Sequence, residues 1–162
     1  EALAAEARTI DRSEYQLWPL DEAFSGEWLV HPLISVDGGW DLAQRANANL
    51  LRAPAFARVA RELPGVLLAG YSLLAPGTHI FPHADHVTRR TLRCHLGLSV
   101  PEGAGLRMNG EVRMHRDGTC LGFESEVQHE AFNLGERDRL VLLVDFDRDA
   151  LAHGSPLRER LG

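Results

Sequence analysis

His83 and Asp85 form a His-x-Asp string, a second histidine, His129, follows 46 residues after the first, and Arg139 comes ten residues later. Two imidazoles and one carboxylate on one face of a ferrous ion leave its other face open, so a co-substrate and O₂ can bind there together. A guanidinium placed beyond the second histidine suits the far carboxylate of a bidentate co-substrate such as 2-oxoglutarate, because its fork of N–H donors matches carboxylate oxygens. The residues therefore point to Fe(II) on His83, Asp85 and His129, with Arg139 as an anion grip.

Those side chains need strands to aim them. Residues two apart on a strand share a face, so an extended segment would point His83 and Asp85 the same way. The same rule groups Arg93 with His95, leaving Leu92, Cys94 and Leu96 on the other side. In the last long apolar run Arg139 shares a face with Val141 and Leu143, opposite Leu140, Leu142, Val144 and Phe146. A single arginine buried in such a run is costly without a partner. An anionic ligand is one explanation, and a pairing with Asp138 or Glu136 is the other. His79, His86, His95 and His115 compete as metal ligands. His86 would point away from the face of Asp85 on a strand, and the i, i+4 spacing of His79 and His83 needs a helix that Pro76-Gly77 and Pro82 oppose.

The strand texture begins after Pro64-Gly65. Short runs rich in Leu, Val and Phe are separated by turn signals at Pro76-Gly77, Pro101-Glu102-Gly103, Asn109-Gly110, Asp117-Gly118 and Asn133-Leu134-Gly135. Leu106–Met108 and Glu111–Met114 read as a hairpin, because Asn109-Gly110 takes the positive φ angles of a two-residue turn. Before Pro64 the chain reads as helix and loop, with a helical candidate at residues 1–8 and a second pattern at 41–63 broken at Pro54. The expected fold is mainly β: a double-stranded β-helix, that is, a cupin-like jelly roll, with N-terminal helices. A single domain spans residues 1–162, with 1–65 as helical lead-in and 66–148 as the jelly-roll core.

A chain of 162 residues, 44% hydrophobic and 25% charged, is long enough to bury one core. A net charge of -6 argues against nucleic acid, whose binders need a basic surface. No apolar run reaches the roughly 18 residues of a membrane span, and the opening residues lack a signal-peptide plan, which implies a cytoplasmic protein. Cys94 and Cys120 are too few for a disulfide framework and read as two reduced thiols in strands.

The strings PGTHIFPHAD, LRCHLGLSVP, VQHEAFN and RDRLVLLVDF, within Tyr71 to Phe146, resemble the aspartyl/asparaginyl β-hydroxylase family of Fe(II)/2-oxoglutarate dioxygenases. The resemblance implies that His83 and His129 bind iron. It also implies that Arg139, helped by Ser72, holds the outer carboxylate of 2-oxoglutarate, with Arg93 and His95 near the metal-chelating end. The implied substrate is an aspartyl or asparaginyl unit in a peptide, on a carrier or as a small molecule, hydroxylated at its β-carbon with O₂. Animal members can have glycine where Asp85 stands, so this chain is closer to the ordinary two-histidine, one-carboxylate triad. Thr91 falls where an arginine often helps to bind an acidic substrate, and Arg89 or Arg90 could substitute. Two other readings stay open: a cupin-type metal enzyme that does not consume 2-oxoglutarate, and a ligand-binding module without turnover.

Overall fold

A computed structural model describes residues 1–19, 21–36, 42–85 and 90–153 of the chain. Two antiparallel sheets face each other. The larger has strands in the order β1 (Gln16–Leu17), β3 (Trp28–Ser35), β4 (Val66–Leu74), β11 (Arg139–Asp147), β6 (Thr91–Ser99) and β9 (Cys120–Glu124). The smaller runs β2 (Phe24–Ser25), β5 (His79–His83), β10 (His129–Asn133), β7 (Ala104–Met108) and β8 (Glu111–Met114). This is the expected jelly roll, and its eight strands from Val66 onward follow the turn signals. Asn109 and Gly110 have φ of 49° and 81°, and Met108 pairs with Glu111 across them, which is the two-residue hairpin read from the Asn-Gly step.

Alternation sorts the large sheet into two faces. Leu29, Tyr71, Leu73, Leu140, Leu142 and Val144 pack outward with Phe56 and Ala60 of helix α3 (Pro54–Ala60), behind helix α2 (Leu42–Leu51), which also ends before Pro54. Glu6, on helix α1 (Ala2–Ala7), ties this layer together. Its carboxylate accepts from the free N–H groups of Ala55 and Phe56 at the start of α3, at 2.6 and 3.1 Å, and from the Tyr71 hydroxyl at 2.7 Å. The inward face carries Trp28, Ser72, Leu74, Arg139, Val141, Arg93 and His95, opposite Phe24, Ile80, Leu106 and Ala131 of the small sheet.

Two expectations are corrected. The first 65 residues are not only helix and loop, since they supply β1, β2 and the eight-residue β3. Pro32 cannot donate to a ladder, and it sits where the pairing of β3 with β4 shifts register between Pro32 and Ile34. The cysteines are not separate thiols but a disulfide joining β6 to β9. Cys94 pairs with Gly122 and Leu96 with Cys120, so the two cysteines lie diagonally on one face with Cα atoms 6.1 Å apart, a span that a disulfide bridges. Among the described residues no helix is long and apolar enough to cross a membrane.

Gly97 fastens the loop that follows β8 to the inner sheet. Its N–H donates to the Thr119 carbonyl at 3.0 Å, and its carbonyl accepts from Gly118 N–H at 2.9 Å. A Cβ at this position would lie 2.1 Å from the Arg116 carbonyl oxygen. Gly97→Ala must push this loop away from the sheet and should lower stability by about 1–3 kcal/mol, the usual cost of overpacking. Urea unfolding of the variant beside the parent protein measures it.

Candidate metal centre

His83 is aimed by a defect in its strand. Ala131 pairs with Ile80 while His129 pairs with His83, so two steps along β10 match three along β5, a β-bulge over Phe81-Pro82. Strict alternation would have put His83 on the outer side with His79 and Phe81. The bulge instead turns it inward beside His129, with ring centroids 4.3 Å apart. Proline is tolerated at such a break because no ladder bond is asked of it. Asp85 lies just past the end of β5, where its N–H donates to the Ser125 carbonyl at 2.9 Å.

The three predicted ligands converge: one donor atom each from His83, Asp85 and His129 lie within 4.8 Å of one another. The histidines are prepared in the same way. His83 Nδ1 donates to the Phe81 carbonyl at 2.7 Å, and His129 Nδ1 to the Val127 carbonyl at 2.8 Å. Each ring thus keeps its proton on Nδ1 and presents a bare Nε2 lone pair, the form that ligates metal. Burial lowers the His129 pKa and favours that neutral ring, with the Arg93 charge acting the same way, although its bond to Val127 acts the other way. Two imidazole nitrogens and a carboxylate oxygen fit a divalent first-row metal such as Fe(II).

Beside this trio lies Arg93. Its Nε and one terminal nitrogen each reach an oxygen of Asp145 at 2.7 Å, and its NH1 is 2.9 Å from Asp85 Oδ2. The Asp85 contact is off the line of an N–H, so it is an ion pair rather than a directed hydrogen bond. Burial alone would disfavour the Arg93 charge, but Asp145 and then Asp85 outweigh it and hold the guanidinium more firmly protonated than a free arginine.

Arg139 is in the opposite condition. It is 1% exposed, and neither Nε nor NH1 has a hydrogen-bond partner among the described residues. Burial pushes its pKa down to about 9. Its neighbours in sequence do not help, since Asp138 instead pairs with Arg12 at 2.5 Å. Among the described residues its one hydrogen-bonding contact is a long 3.4 Å approach of NH2 to Ser72 Oγ. The Trp28 indole N–H also donates to that oxygen, at 3.1 Å. With two donors on its oxygen, the Ser72 hydroxyl keeps its own proton for a further acceptor.

His95 completes this end, with Nδ1 3.3 Å from His115 Nε2 and the rings stacked at 5.4 Å. His95 Nε2 and His115 Nδ1 are buried without hydrogen-bond partners among the described residues. Burial, joined by the charges of Arg139 and Arg93, pushes His95 well below the ordinary histidine pKa, while burial and Arg139 bring His115 down to about 3. Phe123 stands between the two ends, its ring 5.2 Å from His95 and 4.9 Å from His129.

All seven residues singled out in the sequence, His83, Asp85, His129, Ser72, Arg93, His95 and Arg139, therefore line the space between the sheets. His79 does not: it lies on the outer side, 2.5 Å from Glu130, which Arg107 also engages at 2.8 Å. Thr91 is buried at the start of β6 with its N–H on Glu126 at 2.8 Å, and Arg90 is exposed. His86 and Arg89 lie outside the described residues. Trp28, Asp145, Phe123 and the contact made by His115 were missed. Asp145 could have been suspected as a carboxylate in the otherwise apolar string VLLVDF; the others depend on strand register.

Comparison with known proteins points to one family and to a shared fold. The family model described as Aspartyl/Asparaginyl beta-hydroxylase matches residues 1–149. The ornithine lipid ester-linked acyl 2-hydroxylase of Rhizobium tropici is 31% identical over 122 residues, covering 70% of this chain and 43% of that protein. The aspartyl/asparaginyl beta-hydroxylase of Mus musculus is 40% identical over 76 residues, 46% of this chain and 10% of that protein. The chain thus spans less than half the length of either relative. Among solved structures, a Pseudomonas putida prolyl-4-hydroxylase superposes with a TM-score of 0.58 at 24% identity, over 90% of this chain and 84% of that one, a likeness of fold.

The neutral histidine pair gives stability a pH dependence of definite sign. Unfolded histidine titrates near 6.5 and folded His115 only at about 3. Between those values the unfolded chain binds the extra proton, so stability falls as pH drops below 6.5 and is unaffected by this group above it. Replacing His115 by Gln should therefore shrink the stability lost between pH 6.5 and 5.5 by about 1 kcal/mol. Urea titrations of the parent and His115→Gln proteins at the two pH values check this.

Proposed function

Because this chain belongs to the aspartyl/asparaginyl β-hydroxylase family, we propose that it is an Fe(II)- and 2-oxoglutarate-dependent oxygenase that hydroxylates a C–H bond. In the net reaction one atom of O₂ enters the new hydroxyl, and the other enters succinate as 2-oxoglutarate loses CO₂. A ferrous ion on His83, Asp85 and His129 would supply the redox chemistry, for which no side chain is equipped. What the chain's own residues contribute is binding, orientation and the exclusion of water.

The observation that carries the reading is Arg139. A wholly buried guanidinium with two nitrogens unpartnered is complete only when an anion sits against it. The outer carboxylate of 2-oxoglutarate meets that need, with the Ser72 hydroxyl as a second donor held in place by Trp28. His95, neutral and with Nε2 unpartnered, is free to donate to the same ligand. A cupin-type enzyme that ignores 2-oxoglutarate would have no use for Arg139 in this state, and a module without turnover would not need three converging metal ligands, two of them histidines with prepared tautomers.

The substrate we favour carries an aspartyl or asparaginyl unit, in a peptide, on a carrier or free, and is hydroxylated at the β-carbon. The family's description supports that choice. The Rhizobium relative, described as an acyl 2-hydroxylase, is the reason to include lipid-linked acyl groups among the candidates tried.

Under anaerobic conditions Fe(II) and 2-oxoglutarate together should give a weak visible charge-transfer band. His83→Ala should abolish it. Arg139→Met should raise the 2-oxoglutarate concentration needed for half the band by tenfold or more, since each charge-assisted bond is worth about 1.5–3 kcal/mol. Admitting O₂ with a candidate substrate should yield one succinate per hydroxylated product. A band that survives His83→Ala refutes the ligand assignment, and one indifferent to Arg139→Met refutes the co-substrate grip.

A further inference from the structure

Each metal-facing side chain is held from behind, but only the two histidines are held by backbone carbonyls. Among the described residues Asp85 has no such partner for its side chain. It lies beyond the last residue of β5, and its backbone N–H to Ser125 fixes the chain, not the carboxylate. What touches the carboxylate from behind is Arg93, with NH1 2.9 Å from Oδ2, while the other oxygen, Oδ1, faces His83 Nε2 at 3.5 Å. The two oxygens are therefore divided, one toward the guanidinium and one toward the imidazoles.

Arg93 is in turn fixed from the other side. It stands directly opposite Asp145 in the pairing of β6 with β11, and Asp145 takes both Nε and NH2 at 2.7 Å. All three guanidinium nitrogens are thus engaged with carboxylates, in contrast to Arg139. The charges matter as much as the contacts. A lone arginine against a ligand carboxylate would compete with a metal for it and repel the cation. With Asp145 included, one positive and two negative groups sum to a single negative charge, which is what a metal would meet from an isolated aspartate.

Resting on the iron reading above, we propose that Arg93 is a positioning residue for the metal site: it fixes Asp85 with Oδ1 toward His83 and His129, and Asp145 neutralises and orients Arg93. This departs from a role for Arg93 in gripping the chelating end of the co-substrate, since two of its nitrogens are hydrogen-bonded to Asp145 and the third faces Asp85. Outer partners of metal ligands typically control affinity by 10–100-fold.

The decisive protein is Arg93→Met/Asp145→Leu, which removes one charge of each sign and leaves the net charge of the site unchanged. Binding is measured with Co(II) alone, by its visible ligand-field absorption, without co-substrate. The double variant should bind Co(II) about 10–100-fold more weakly. At saturating Co(II) its 2-oxoglutarate affinity should change less than about threefold. In an Asp85→Ala background the same double change should have almost no further effect on Co(II), because the residue it positions is gone. Arg93→Lys keeps the charge but loses the fork, so it should show a smaller loss of Co(II) affinity, and it serves if the double variant does not fold. Unchanged Co(II) affinity in the folded variants, or losses that multiply with Asp85→Ala, overturns the proposal. So does a fall in 2-oxoglutarate affinity with Co(II) binding intact, which returns Arg93 to the co-substrate. Failure of the underlying reading looks different: Co(II) would then bind the parent and His83→Ala proteins equally.

Discussion

Arg139 places a positive charge at a wholly buried point on a central strand, and among the described residues no carboxylate is hydrogen-bonded to it. Removing an ion from water costs several kcal/mol even after the surroundings relax. The cost is tolerable here because β11 lies inside the six-stranded sheet, paired along its length with β4 and β6, and its outer face is packed against the helical layer. Arg93 faces the same space and is over-compensated by Asp145 and Asp85. The cavity therefore has two poles, a net negative one at the His-Asp-His trio and a positive one at Arg139. With a divalent cation held at the negative pole, as proposed, a ligand with a metal-chelating head and a carboxylate tail would match that polarity.

The polarity survives only if the histidines between the poles stay neutral. His95 and His115 do, through burial and the field of Arg139. A protonated pair would place like charges together in a dry space, where the repulsion is least screened. Phe123 adds to the dryness by filling the gap between His95 and His129.

Much of the site was legible because it depends on residue type and on alternation within single strands. On β6 and β11 a two-residue period was enough to put Arg93 beside His95 and Arg139 away from Leu140 and Leu142, and the structure follows it. Asn109-Gly110 was legible because its positive φ angles are a local property. What escaped depends on pairing between strands far apart in sequence. Trp28 reaches Ser72 only because β3 lies beside β4. Asp145 meets Arg93, and Cys94 meets Cys120, through registers that no local pattern encodes.

His83 shows that a correct assignment can rest on an incomplete reason. Uninterrupted alternation along β5 would group His83 with His79 and Phe81 and set it against the buried Ile80. By that rule His83 belongs outside, near Glu130, and the metal site loses a ligand. The bulge over Phe81-Pro82 adds the one residue that reverses the facing, so the proline that seems to spoil the strand marks the place where its register changes hands. The His-x-Asp spacing then works because Asp85 has left the ladder altogether and is aimed by Ser125 behind its backbone and Arg93 behind its carboxylate. Ligand convergence here is thus a tertiary property of three separately anchored groups, and the short motif records only which groups they are.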